Sequence, residues 1–233
     1  MPVPFLVHPP IAGNDSTIGW PASTLPAPLG AWPTAKPTSS GMKDVLLVGI
    51  VGRAGVGKTT VSEYLQAAHQ FEAHALADPI KTMLHALFVD IGVDYAHLFD
   101  ADKKHLPIPE LGGITARRLM QTLGTDWGLD MISPDLWTRA ADLVLGLPLA
   151  PVHDRIVISD VRFQREADWL RAHGGRLVRL TRQKAQHPGR HRSEAEADGI
   201  AVDAEIANDG PLEDLYGELE VLLAQWLPEP RES

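Results

Sequence analysis

The stretch Gly52-Arg53-Ala54-Gly55-Val56-Gly57-Lys58-Thr59 has the spacing G-x-x-x-x-G-K-T, and it follows directly on the aliphatic run Val45–Val51. Glycines at these positions let successive backbone N–H groups turn inward, because no Cβ blocks the approach, and such a nest suits an anion. Lys58 is placed to reach the β- and γ-phosphates of a nucleoside triphosphate, and the Thr59 hydroxyl is placed to ligate Mg²⁺. A helix over about Thr59–Ala68, with Thr60 in its first turn, adds the positive end of its dipole to the same spot. The order is strand, loop, helix, which is what phosphate binding of this kind requires, so Gly52 through Thr60 are read as the nucleotide-phosphate site.

Two carboxylates belong beside it. Arg155-Ile156-Val157-Ile158-Ser159-Asp160 reads as a buried strand ending in Asp, the pattern that holds Mg²⁺ directly or through water next to a phosphate loop. Arg162, just past it, is within reach of a phosphate on either substrate. Phe71–Pro79 reads as a short strand and turn, which puts Asp78 at the carboxyl end of a parallel strand, where open α/β sheets bind ligands. The plainer role for Asp78 is to cap the helix that Pro79 and Ile80–Val89 predict, with Lys81 on its first turn.

The elements that must position these groups follow from spacing. Residues 90–150 hold Lys103-Lys104-His105, a Pro/Gly loop from Pro107 to Gly113, and a helix capped by Thr115. In that helix Leu119, Met120 and Leu123 face inward, and Arg117, Arg118 and Gln121 lie on the other faces. A second helix starts near Pro134 and Asp135 and carries Leu136, Trp137 and Leu143. A helical insert after the second strand is where a phosphoryl-transfer enzyme can seat its acceptor; a solvated helix with surface arginines is the alternative. Gln164–Ala172 is read as a helix closed by Gly174-Gly175, and Arg176–Leu180 as the fourth strand. Arg182, Lys184, His187, Arg190, His191 and Arg192 then form a basic patch in a Gly/Pro setting, expected to be a lid that closes over transferring phosphate. Ser193–Asp198 is acidic, Ile200–Ile206 is expected to be a last strand leading to Asn208-Asp209-Gly210, and Pro211–Trp226 an amphipathic helix with Leu212, Leu215, Leu219, Leu222 and Leu223 on one side.

Composition narrows the function classes. With 233 residues, 44% hydrophobic and 22% charged, the chain matches one α/β domain able to bury a sizeable core. Cysteine is absent, which excludes disulfides, thiolate metal sites and cysteine nucleophiles. A net charge of −9 argues against coating nucleic acid or a membrane surface. No apolar run reaches the ~20 residues of a membrane span and no signal peptide is evident, so a cytoplasmic location is expected. Residues 1–41 differ from the rest: they hold nine of the 19 prolines, and their only charged residues are Asp15 and Lys36. They are read as a Pro-rich flexible tail, with a docking segment as the alternative and the folded unit at 42–233.

The phosphate loop, Ala77-Asp78-Pro79-Ile80-Lys81, the block Thr115-Ala116-Arg117-Arg118-Leu119-Met120-Gln121-Thr122-Leu123-Gly124-Thr125-Asp126-Trp127-Gly128 and Asp160-Val161-Arg162-Phe163 together resemble the deoxynucleoside monophosphate kinases of tailed bacteriophages. His191-Arg192-Ser193-Glu194 and Ile206-Ala207-Asn208-Asp209-Gly210 extend the likeness to about residues 44–224. The resemblance implies an α/β P-loop kinase fold of three layers, with a five-stranded parallel sheet, an acceptor-binding insert at about 79–150 and a lid at about 182–200. It also implies Mg²⁺-dependent transfer of the γ-phosphate of ATP to a deoxynucleoside 5′-monophosphate, giving dNDP and ADP for DNA precursor supply. On that reading the Gly52–Thr60 stretch and Lys58 serve ATP, and Thr59 and Asp160 serve Mg²⁺. Asp78, Lys81, Arg117, Arg118, Gln121 and Trp127 form the acceptor pocket. Asp78 also orients reactants, and Arg162, Arg182 and Arg192 meet the charge on the moving phosphoryl group. Leu129 departs from the pattern, because family members commonly carry arginine there; Arg117, Arg118 or Arg139 would have to compensate. The partners expected are small molecules alone, with a homodimer left open. A P-loop kinase for another small phosphorylated acceptor and a non-catalytic nucleotide-binding regulator are the rival readings. A GTPase is disfavoured because the chain has no Asn-Lys-x-Asp motif.

Overall fold

Strand β1 (Leu46–Val51) lies at the centre of a five-stranded sheet, and five of its six residues are buried. A computed structural model describes residues 45–147, 151–183 and 192–227, with the side chains of 192–195 excepted. The tail expected at 1–41 lies outside the described residues, as do Lys184, His187, Arg190 and His191 of the expected lid.

The other sheet strands are β2 (Glu72–His74), β5 (Arg155–Val161), β6 (Arg176–Thr181) and β7 (Ala204–Ala207), in the order β2-β5-β1-β6-β7. Every pairing is parallel. Near-continuous aliphatic runs suit this arrangement because helices cover both faces. Alternation along β1 divides the core in two. Leu47 and Val51 join Ile156, Ile158 and Leu177 on one face, under α2 (Asp78–Asp90), α5 (Leu136–Leu145) and α6 (Gln164–Ala172). Val48 and Ile50 join Val157, Val178 and Leu180 on the other, under α1 (Lys58–His69) and α8 (Leu212–Trp226).

Between α2 and α5 the insert carries α3 (Ala96–Phe99), a tight helical turn at Lys103–His105, a ribbon of β3 (Pro107–Ile108) and β4 (Ile114–Thr115), and α4 (Ala116–Gln121). The Thr115 hydroxyl accepts the Arg118 N–H at 3.2 Å, so the expected cap is present. The helix then widens into a π-helical segment, Thr122–Ile132. Its buried residues are Gly124, Thr125, Gly128 and Leu129, two pairs four residues apart, as a turn wider than 3.6 residues brings onto one face.

Two features of the C-terminal part differ from expectation. The last strand starts at Ala204 rather than Ile200: the Asp203 carboxylate accepts the Leu177 N–H at 2.7 Å, and its own N–H donates to the Leu177 carbonyl at 2.8 Å. This side-chain clamp takes the place of ladder pairing ahead of the strand. Ile200 instead follows α7 (Arg192–Gly199) and is buried. In α8 the core is met by Leu215, Leu219 and Leu223, and Leu212 stays 50% exposed at the helix start.

Candidate active site

β1 delivers the chain to Gly52, and α1 opens at Lys58. Gly57, immediately before it, sits at φ 103°, and a Cβ there would fall on the side-chain nitrogen of Asn208. That contact has a purpose. Buried Asn208 donates from Nδ2 to the Val56 carbonyl at 2.9 Å, and its backbone N–H donates to the Thr181 carbonyl at 2.9 Å. The loop is thereby fastened to the ends of β6 and β7. Asn208→Ala leaves the Val56 carbonyl without this donor and is expected to cost about 1–3 kcal/mol, read by chemical denaturation. Lys58 Nζ donates to the carbonyls of Gly52 at 2.8 Å and Arg53 at 2.7 Å, so it arches back over the loop it follows. Arg53 reaches out to α7, its Nε donating to Asp198 Oδ1 at 3.2 Å. This guanidinium holds the Asp198 carboxyl below the usual carboxylate range.

The two expected carboxylates meet on one turn. Asp160 accepts the Leu76 N–H on Oδ1 at 2.7 Å and the Ala77 N–H on Oδ2 at 3.0 Å. Asp78 accepts the Ala75 N–H on Oδ2 at 2.8 Å and pairs through Oδ1 with Lys81 Nζ at 2.9 Å. Asp78 thus braces the turn ahead of α2; Ala77 is the residue at the cap position. Asp160 and Thr59 offer carboxylate and hydroxyl oxygens, hard donors of the kind Mg²⁺ takes beside phosphates while keeping several waters.

On the insert side, burial first and then the charges of Lys81, Arg162 and Arg117 push the ammonium of Lys104, a residue absent from the expected site, below its ordinary range. Arg118 lies on the exposed side of α4 and Gln121 is half-buried. Trp127 is 36% exposed, its ring centroid 6.4 Å from that of Trp137. Trp137 donates from Nε1 to the Gly124 carbonyl at 2.8 Å, and a Cβ on Gly128 would enter its indole ring. Gly128 therefore makes room for Trp137, and Gly124 makes room for Ile80. Leu129 is 6% exposed in the core, where a guanidinium would have to be desolvated. Arg139 pairs with Asp135 at 3.8 Å. Arg182 is exposed and lines a cavity of about 520 Å³ with Gly52, Arg53 and Asp209. Arg192 opens α7, and its side chain lies outside the described residues.

Glu166 was not legible as a site residue, yet it fixes the backbone of one. Its Oε2 accepts the N–H groups of Arg162 at 2.7 Å and Phe163 at 3.0 Å from a position 5% exposed. Burial, opposed by these bonds and reinforced by the charge of Asp160, pushes its carboxyl up to about 7. A carboxyl raised in the fold contributes stability below its unfolded value near 4.5, and that contribution is lost as pH rises through 7. Glu166→Gln, still able to accept both N–H groups, should lack this slope. The difference between the two proteins' denaturation free energies should change by on the order of 3 kcal/mol between pH 4.5 and 8.

The profile of the family described as Deoxynucleotide monophosphate kinase matches residues 90–219, more than half of the chain. A protein of Acanthamoeba polyphaga mimivirus, provisionally assigned as a deoxynucleotide monophosphate kinase, is 33% identical over 190 residues, covering 75% of this chain and 94% of its own. The deoxynucleotide monophosphate kinase of Escherichia phage RB69 is 32% identical over 107 residues, 46% of this chain and 44% of its own. That of Enterobacteria phage T4 is 30% identical over 108 residues, 45% and 44%.

Proposed function

The chain belongs to the deoxynucleotide monophosphate kinase family, and from this we propose that it transfers the γ-phosphate of ATP to a deoxynucleoside 5′-monophosphate, releasing dNDP and ADP. The observation that carries the reading is that the matched residues include both the Thr115–Gly128 block and Asp160–Phe163, and that Asp160 lies one residue before the end of β5, the strand paired with β1, which leads into the phosphate loop.

Phosphoryl transfer asks the protein for placement and charge neutralisation more than for covalent chemistry. In our reading the N–H groups of Gly55–Thr59 and the Lys58 ammonium take the donor's β- and γ-phosphates. To do so, Lys58 exchanges the carbonyls of Gly52 and Arg53 for phosphate oxygens. The cavity beside Arg182 and Asp209 takes the nucleoside part of ATP. Thr59 and Asp160 would hold Mg²⁺, which when bound neutralises phosphate charge. Arg117, Gln121 and Trp127 face the acceptor, with Arg118 at its rim. Asp78 orients Lys81 toward the same space. Arg162, its backbone held by Glu166, and Arg182 and Arg192 from the lid side meet the charge of the transferring group. The acceptor pocket is the insert at about 79–150, and the lid is the segment at about 182–200. Among the described residues no helix is long and apolar enough to cross a membrane, and the partners proposed are small molecules.

A coupled ADP-release assay with MgATP against dNMPs, NMPs and no acceptor tests this. ADP release that depends on a dNMP supports the reading and reports its base range. Release without acceptor would instead mark an ATPase, and silence across the panel would overturn the assignment.

A further inference from the structure

The acidic stretch Ser193–Asp198 has no part in the site as the sequence describes it, yet its last carboxylate meets the phosphate loop. Arg53 Nε donates to Asp198 Oδ1 at 3.2 Å and Arg53 Nη2 to Asp198 Oδ2 at 2.5 Å, so the guanidinium takes both carboxylate oxygens as a fork. The partners are 145 positions apart, one directly after Gly52 and the other near the end of α7. The Arg53 carbonyl also accepts Lys58 Nζ at 2.7 Å. One residue is thus joined by its backbone to the lysine of the phosphate loop and by its side chain to α7. The C-terminal end of that helix is anchored independently. Arg179 of β6, its side chain 12% exposed, donates from Nη1 to the Ala197 carbonyl at 2.9 Å and from Nη2 to the Ile200 carbonyl. It satisfies acceptors that a helix end leaves open.

Arg53 and Asp198 line the same cavity of about 520 Å³ as Gly52, Arg182 and Asp209. One side of that cavity is the phosphate loop and another is the end of α7, so their separation decides what fits between them. Both partners of the pair are partly exposed, 39% and 46%, and an ion pair in such a place adds little to global stability. Its effect is local. We propose that Asp198 is a positioning residue for the donor nucleotide: through Arg53 it fastens α7 to the phosphate loop and so sets the width of the donor cavity. This rests on ATP occupying that cavity. Asp198 itself need touch neither the nucleotide nor the transferring group, because the guanidinium of Arg53 stands between its carboxylate and the loop.

The test is calorimetric titration of MgADP into wild type, Asp198→Asn, Asp198→Glu, Arg53→Met and the double variant Arg53→Met/Asp198→Asn. Asp198→Asn should bind MgADP about fivefold more weakly, the upper end of what a partly exposed ion pair supplies. KM for ATP should rise by the same factor, with KM for the dNMP and the melting temperature unchanged. Asp198→Glu, which keeps the charge, should recover most of the loss. The double variant should lose no more than Arg53→Met alone, because the two changes break one interaction. In hydrogen exchange without nucleotide, the α7 amides of Asp198→Asn should exchange faster than in wild type and those of β1 and β5 at the same rate. Unchanged MgADP affinity in Asp198→Asn, additive losses in the double variant, or α7 amides that exchange no faster would each overturn the role of Asp198. So would an equal loss of dNMP affinity joined to a lower melting temperature, the mark of a purely structural carboxylate. The donor assignment fails separately, if wild type itself does not bind MgADP.

Discussion

Replacing Lys58 with alanine is expected to lower turnover by about 10³-fold while leaving the fold nearly as stable as wild type. The size follows from the job proposed: a preorganised cation at the transferring phosphate acts in a site that excludes water, and one lost donor in such a site costs about 10²–10³ in rate. Lysine adds a full charge to that. The stability effect is small because the hydrogen bonds from Lys58 to the carbonyls of Gly52 and Arg53 lie in a part-buried loop, where water can replace the ammonium in the nucleotide-free protein. Steady-state turnover with saturating MgATP and dNMP, set beside thermal melting, separates the two quantities. Turnover within tenfold of wild type would remove Lys58 from the mechanism. A melting temperature many degrees lower would mean that the loop depends on it structurally.

Asp160→Ala should be the second severe change, and a mixed one. Asp160 spends both oxygens on the Leu76 and Ala77 N–H groups, so it holds the turn that carries Asp78 and leads into Lys81. Charge-assisted hydrogen bonds are worth about 1.5–3 kcal/mol each, and alanine removes two. The same carboxylate is the proposed Mg²⁺ ligand. Turnover is therefore expected to fall by about 10²–10³-fold together with a measurable loss of stability. Asp160→Asn sharpens the point. It keeps the volume but presents an amide N–H toward one of the two backbone N–H groups. Titrating Mg²⁺ in the kinase assay distinguishes the roles: a metal ligand predicts a higher Mg²⁺ requirement in the variant, and a purely structural carboxylate predicts an unchanged one.

The features that could be read from the amino-acid order were the local ones. The phosphate loop, the strand before it and the helix after it are contiguous, and their chemistry needs no distant partner. The same holds for the Thr115 cap and for α6, which runs over Gln164–Ala172 as its spacing indicates. The features that could not be read join residues far apart in the chain. Asn208 clamps Val56 across 152 positions, and Asp160 reaches Leu76 across 84. The helix capped by Thr115 was legible as far as Leu123, but its continuation to Ile132 in a widened form was not. Apolar positions Leu119, Met120 and Leu123 fit the ordinary period, and it is inside the wider segment that Gly128 leaves room for Trp137.

The strand order also constrains when the protein can first exist. β1 has β5 and β6 as its neighbours and β2 has β5 alone, so nothing ahead of Arg155 can pair two strands of the main sheet. Emerging from a ribosome, the nucleotide loop and the whole insert must wait as an unpaired strand and loosely held helices until β5 has been made. Contacts of such long range close slowly, and exposed aliphatic strands invite association with other chains in the meantime. A chain stalled before residue 155 should bind no nucleotide and be prone to aggregate, and one released after β6 should be the first able to form the central three strands.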